Sequence, residues 1–124
     1  GGESIYQGAC CTSRIDVLAP GSDSWQLAGH LLHSRCGLTT SFDPRKSQLF
    51  IAGGYGGGLT YEKTVEVYDV CSGKQQLLAP MKYSRSGAGS GFGPDGAFYI
   101  IGGSEDGAHA LHFCERYDPR EGKW

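Results

Sequence analysis

The chain's strongest constraint on its fold is that it overlays on itself. Leu49-Phe50-Ile51-Ala52-Gly53-Gly54 falls on Phe98-Tyr99-Ile100-Ile101-Gly102-Gly103 at an offset of 49 residues. The register holds downstream, where Val65-Glu66-Val67-Tyr68-Asp69 meets Cys114-Glu115-Arg116-Tyr117-Asp118 at the same offset. Upstream, Ser34-Arg35-Cys36-Gly37 aligns with Ser84-Arg85-Ser86-Gly87, and Phe42-Asp43-Pro44 with Phe92-Gly93-Pro94, at an offset of 50. A partial third copy comes first, with Gly1-Gly2, Ile15-Asp16-Val17-Leu18 and Trp25 in the corresponding places. Repeats of this length are supersecondary units that bury their apolar faces by stacking on one another.

Each copy reads as four short strands. The first, from Gly37 to Phe42 and from Gly87 to Phe92, is rich in small residues; the second, from Gln48 to Ala52 and from Ala97 to Ile101, is an apolar run ended by Gly-Gly. The third, from Thr64 to Tyr68 and from Phe113 to Tyr117, alternates, with Val65 and Val67 on one side and Glu66 and Tyr68 on the other. The fourth surrounds Trp25, Gln75 to Leu78, and Trp124. Asp43-Pro44, Ser72-Gly73, Pro94-Asp95-Gly96 and Asp118-Pro119 supply turns between them, and no stretch keeps a helical period. Four antiparallel strands per 49 to 50 residues is the arithmetic of a propeller blade. The expected architecture is all-β: a half blade over 1–33, a complete blade over 34–83 and a nearly complete one over 84–124, all within one partial propeller domain.

The apolar run with Gly-Gly, the Tyr-Asp some 15 residues later, the Trp seven beyond that Tyr, and the opening Arg-x-Gly resemble kelch repeats. Glu115-Arg116-Tyr117-Asp118-Pro119 and Leu78-Ala79-Pro80-Met81 resemble the kelch-like (BTB-kelch) proteins in particular. Where those pair Tyr with Trp, the first copy has Leu18 and Trp25, the second Tyr68 and Gln75, and only the third both, as Tyr117 and Trp124. An indole's contact area is therefore missing at Gln75.

The resemblance implies a substrate face lined by residues just after the diglycine, Tyr55 and Ser104, and just after the opening arginine, Cys36 and Ser86, with Arg35 and Arg85 beside them. It implies a protein partner, met as an extended peptide with acidic or polar groups, and a substrate receptor for a cullin ubiquitin ligase. The cullin would be reached only through a BTB domain, which this chain does not contain. The same repeats would also support an actin-binding cytoskeletal protein. A galactose-oxidase-type propeller enzyme, a third reading, would need a secreted context and unique metal ligands in blades absent from this chain.

The repeated residues have structural work of their own. Gly53, Gly54, Gly102 and Gly103 permit φ > 0 and close backbone approach at the strand exit. Tyr68, Tyr117, Trp25 and Trp124 carry more apolar area than one blade can bury, so they are expected between blades. Ser86 to Gly91 lacks the Gly-Lys-Ser/Thr and following helix of a phosphate loop. Small side chains there suit an innermost strand near the propeller axis.

Composition narrows the function classes. Thirteen acidic against 11 basic residues, with Arg45-Lys46 the one adjacent basic pair, leave no footprint for a phosphate backbone, so no nucleic acid is expected. No apolar run approaches the roughly 20 residues of a spanning helix, and no membrane partner is expected. The five cysteines are odd in number, only Cys10 and Cys11 are adjacent, and no Asn is present for glycosylation, which fits a reducing, cytoplasmic setting. The start, without Met or a leader, reads as an excision from a longer protein. His30/His33 and His109/His112 are two His-x-x-His pairs 79 residues apart, out of register with the repeat and without Cys-x-x-Cys, so neither metal nor cofactor is expected. Glu66, Asp69, Glu115 and Asp118 recur with the repeat, unlike a unique general acid and base, and the reading is that the chain is not an enzyme.

Overall fold

The computed structural model describes residues 11–56 and 60–124, and all the elements among them are β-strands. No helix there is long and apolar enough to cross a membrane. Gly1-Gly2 and Cys10, singled out above, lie outside the described residues.

Three antiparallel sheets succeed one another. β1 (Thr12–Val17) pairs with β2 (Gln26–Arg35) as a ribbon. β3 (Thr39–Asp43), β4 (Gln48–Ala52), β5 (Val65–Asp69) and β6 (Gln75–Leu77) form a four-stranded meander in that order. β7 (Gly89–Phe92), β8 (Phe98–Ile101) and β9 (Cys114–Tyr117) form the third sheet. The overlay at 49 residues is a spatial equivalence: Leu49 pairs with Tyr68 as Phe98 pairs with Tyr117, and Ile51 with Glu66 as Ile100 with Glu115. Sheets of one topology and register, stacked in succession, make this an all-β partial propeller.

Because side chains alternate along a strand, each sheet has two faces to bury. Leu49, Ile51 and Tyr68 turn toward the ribbon and pack with Ile15, Leu31 and Leu38. Phe50, Ala52, Val65 and Val67 turn the other way, forming one seam with Phe98, Ile100 and Tyr117 of the third sheet and Met81 of the connection. The Phe50 ring meets Phe92 edge-on at 5.0 Å and Phe98 at 5.2 Å. Each fully buried side chain of this kind contributes about 1.5–3 kcal/mol, so the seam is what binds the two sheets. By the same register Tyr99, Ile101, Cys114 and Arg116 stand where Phe50, Ala52, Val65 and Val67 do, on the far face of the third sheet, and Ile101 is 60% exposed there.

The diglycine lets the third sheet close on the second. Gly53 and Gly54 have φ of +66° and +93°, and the Gly54 N–H donates to the Arg85 carbonyl at 2.7 Å. A Cβ on Gly53 would fall on that same oxygen. Near the axis, small side chains let β3 and β7 approach: Ser90 Oγ lies 2.8 Å from Thr39 Oγ1 and 2.9 Å from Ser41 Oγ.

Tyr68 and Tyr117 are buried, and Trp124 packs on Tyr117 at 5.3 Å while its indole N–H donates to the Ala79 carbonyl at 2.6 Å. Trp25 departs from expectation: it is 67% exposed. An aromatic at this place packs on the preceding sheet, and none precedes Trp25 among the described residues. Gln75 keeps part of what an indole would do, since its amide donates to the His30 carbonyl, 45 residues earlier, as Trp124 does to Ala79, also 45 residues earlier.

Candidate functional site

Arg35 ends β2 and Arg85 lies in the connection ahead of β7, and neither reaches outward. Arg35 is wholly buried, and its guanidinium donates to the carbonyls of Gly53 at 3.0 Å and Thr64 at 3.3 Å and to Glu66 Oε1 at 2.6 Å. Arg85 repeats this with Gly102 at 2.5 Å, Phe113 at 3.1 Å and Glu115 Oε2 at 3.0 Å. The second carboxylate oxygen accepts the backbone N–H of Leu32 in one copy and of Lys82 in the other, each at 2.7 Å. Each arginine thus ties the segment leading into a sheet to the two strands of that sheet that flank the diglycine loop. Their expected place beside a partner is corrected to a place beneath the surface, because a buried guanidinium must be paired where it lies.

Cys36 is also corrected as a contact residue. It is 0% exposed, locked by exchange of backbone hydrogen bonds with Tyr55 at 3.0 and 2.8 Å. Tyr55 itself is partly exposed, its ring 6.0 Å from that of Tyr61. Tyr61 in turn reaches the third sheet's loop, since a Cβ on Gly107 would fall on its hydroxyl.

Ser86 and Ser104 are brought together. Their backbones exchange N–H···O=C bonds of 2.9 Å each, a bridge equivalent to that between Cys36 and Tyr55. Around them Gly87, Gly103 and the 107–110 backbone form an open groove of about 290 Å³. The Ser104 hydroxyl donates to Asp106 Oδ1 at 3.0 Å and accepts the Gly107 N–H at 2.9 Å, so it orders its own loop. Ser86 Oγ points to the Gly37 carbonyl at 3.5 Å, a long contact that leaves the hydroxyl able to re-aim.

Beside the groove Asp106 and His109 are joined. Asp106 Oδ1 accepts the N–H groups of Ala108 at 2.9 Å and His109 at 2.8 Å, and Oδ2 lies 2.7 Å from His109 Nδ1. The His109 side-chain hydrogen bond, then those backbone donors, hold the Asp106 carboxyl well below the usual carboxylate range; the same carboxylate raises His109 above its ordinary value. His109 is 88% exposed, so its imidazole is offered to whatever enters. Asp106-x-x-His109 is the sequence signal that this loop is tied across its own turn. The roles of Glu66 and Glu115 were also missed, although each recurs with its arginine.

The other turns carry their own order. Asp118 is drawn down to about 2 by the Arg120 guanidinium and backbone N–H, and Asp69 is lowered by the backbone and side chain of Ser72. The four histidines stay apart: His30 meets Ser13, His33 approaches Glu66, His109 meets Asp106 and His112 stacks edge-on against Phe113.

A family profile described as Kelch motif matches residues 45–82. No curated protein matches the chain as a relative. Among solved structures, the chain is similar to a fungal alcohol oxidase of the AA5 family in complex with copper, at 20% identity and a TM-score of 0.77, over 90% of this chain and 26% of that one. The chain therefore spans about a quarter of that protein's length, and the likeness is one of fold. It corrects the expectation that the chain is not an enzyme: the fold it shares carries oxidase chemistry, so recurrence of carboxylates with the repeat is no ground for excluding catalysis. Among the described residues no three His, Cys, Asp or Glu side chains gather as a metal-binding group.

Proposed function

We propose that the chain is part of a kelch propeller whose loop face captures an extended segment of a protein partner. The observation that carries this reading is the groove at Ser86 and Ser104, floored by backbone that a buried arginine holds and walled by the 107–110 loop. Rigid support beneath a polar, partly exposed rim is what a recognition surface on a scaffold requires. Tyr55 and Tyr61 extend the rim with amphipathic rings, and His109 adds an exposed imidazole able to hydrogen-bond a polar group on the partner.

The finer reading is a cytoplasmic substrate receptor of the BTB-kelch kind, handing its captured protein to a cullin ubiquitin ligase. The Kelch motif over 45–82 and the residues just after each diglycine support it. A photo-crosslinking amino acid placed at Ser104 of the full-length protein is expected to capture a polypeptide, and His109→Ala to reduce that capture. Cullin should co-purify with the protein. Capture only from a control position in the 119–123 turn would refute the groove, and a captured partner without cullin would refute the ligase role alone.

A further inference from the structure

The antiparallel register of the ribbon pairs Thr12 with Arg35, which places the preceding Cys11 opposite the following Cys36. Directly opposed residues of antiparallel strands have Cα atoms about 4.5–5.5 Å apart, inside the roughly 4.4–6.8 Å window that a disulfide spans. The side chains face each other: Cys11 Sγ lies 2.9 Å from Cys36 Sγ. Both sulfurs also point at one acceptor, the Tyr55 carbonyl, at 3.2 and 3.8 Å. Cys36 is held by its backbone bonds to Tyr55, and the pair closes the end of the ribbon beyond an irregularity in its register between Thr12 and Arg14.

We propose that Cys11 and Cys36 form a reversible thiol–disulfide pair, oxidised by a small disulfide such as oxidised glutathione. This does not depend on the partner reading above. Cys11 is partly exposed and Cys36 buried, so access decides the order of events. The Cys11 thiolate attacks one sulfur of glutathione disulfide, forming a mixed disulfide and releasing one glutathione thiolate. The Cys36 thiolate then attacks the Cys11 sulfur, the Cys11–Cys36 bond forms, and the second glutathione leaves. The two cysteine protons end on the two glutathione molecules; the protein loses two electrons and glutathione disulfide gains them. Cys71 and Cys114 are exposed, and neither has another described cysteine at hydrogen-bonding distance, so they provide internal controls that stop at the mixed disulfide.

The test is to treat the full-length protein with oxidised glutathione, quench the remaining thiols, and map peptides by mass spectrometry without reduction. The expected product joins the Cys11 and Cys36 peptides with the mass lower by two hydrogen atoms, and dithiothreitol reverses it. Cys71 and Cys114 should carry glutathione instead. In Cys11→Ser, the Cys36 thiol should remain unmodified while the far-ultraviolet spectrum shows the fold retained; Cys11→Ala serves if that variant does not fold. A stable glutathione adduct on Cys11 of the wild-type protein, or a bond from Cys36 or Cys11 to Cys10, would overturn the proposal.

Discussion

Two glycines at equivalent places separate the cost of backbone conformation from the cost of a neighbouring sheet. Gly53 and Gly102 have φ of +66° and +64°, so alanine at either pays the same left-handed penalty, about 1–2 kcal/mol. At Gly102 the nearest atom to the new Cβ would be the Leu111 carbonyl at 3.5 Å, an ordinary contact. At Gly53 the Cβ would fall on the Arg85 carbonyl, which must withdraw and give up the 2.7 Å bond from the Gly54 N–H. That bond is worth about 1 kcal/mol, and shifting the Arg85 backbone disturbs its buried guanidinium as well. Gly53→Ala should therefore cost about 3 kcal/mol or more and Gly102→Ala about 1.5 kcal/mol, on the sum of these terms. Urea titrations of both variants, followed by aromatic fluorescence, give the difference. Equal destabilisation would refute the argument that the diglycine exists to admit the next sheet's backbone. The same pair, measured in the full-length protein, reports whether another sheet covers Gly102: if one does, the Gly102→Ala cost should rise to that of Gly53→Ala.

Three further outcomes are expected. Glu66→Gln, which leaves the wholly buried Arg35 without its carboxylate, should destabilise by about 3 kcal/mol in a denaturant titration, and adding Arg35→Met should recover part of that loss. His109 should titrate above 6.5 by nuclear magnetic resonance and return toward its ordinary value in Asp106→Asn. Because its folded value is raised, its contribution to loop order is fully present below the unfolded value and is lost as pH rises through the folded one; Asp106, lowered, contributes above its ordinary value and loses that contribution as pH falls through the folded one. Phe98→Ala, at the centre of the seam, should cost about 3–5 kcal/mol by the same titration, while Ile101→Ala on the open face should cost far less.

The strands of the second sheet were legible because each is short and its period of two is set by burial on both faces. β4 has the bounds read from Gln48 and Ala52, and Val65 and Val67 part from Glu66 and Tyr68 as the alternation required. The site was legible only as a location. The position after each diglycine was readable, but at one such position the neighbouring residue is a buried cysteine and at the other a serine, and nothing in Arg-Cys-Gly against Arg-Ser-Gly states which side chain meets solvent. The arginines misled because a charge reads as surface in one dimension. Their carboxylates lie 31 and 30 residues on, and only the sheet register brings them together. Trp25 misled for the opposite reason, since what covers an aromatic is a property of the neighbouring sheet.

The arginine–glutamate tie has a consequence for synthesis. Arg35 reaches the growing chain 31 residues before the carboxylate that neutralises it. At about 5–20 residues per second, Glu66 follows about 2 to 6 s later. During that interval the ribbon cannot bury Arg35 without an uncompensated charge. The carboxylate also accepts the Leu32 N–H, so its arrival fixes the end of β2 as well as the start of the following sheet. The unit that locks during translation is thus staggered against the unit that repeats in the sequence: it closes in the middle of a sheet, when β5 emerges. A pause or a proteolytic cut between Arg35 and Glu66 should be more damaging than one between β6 and β7.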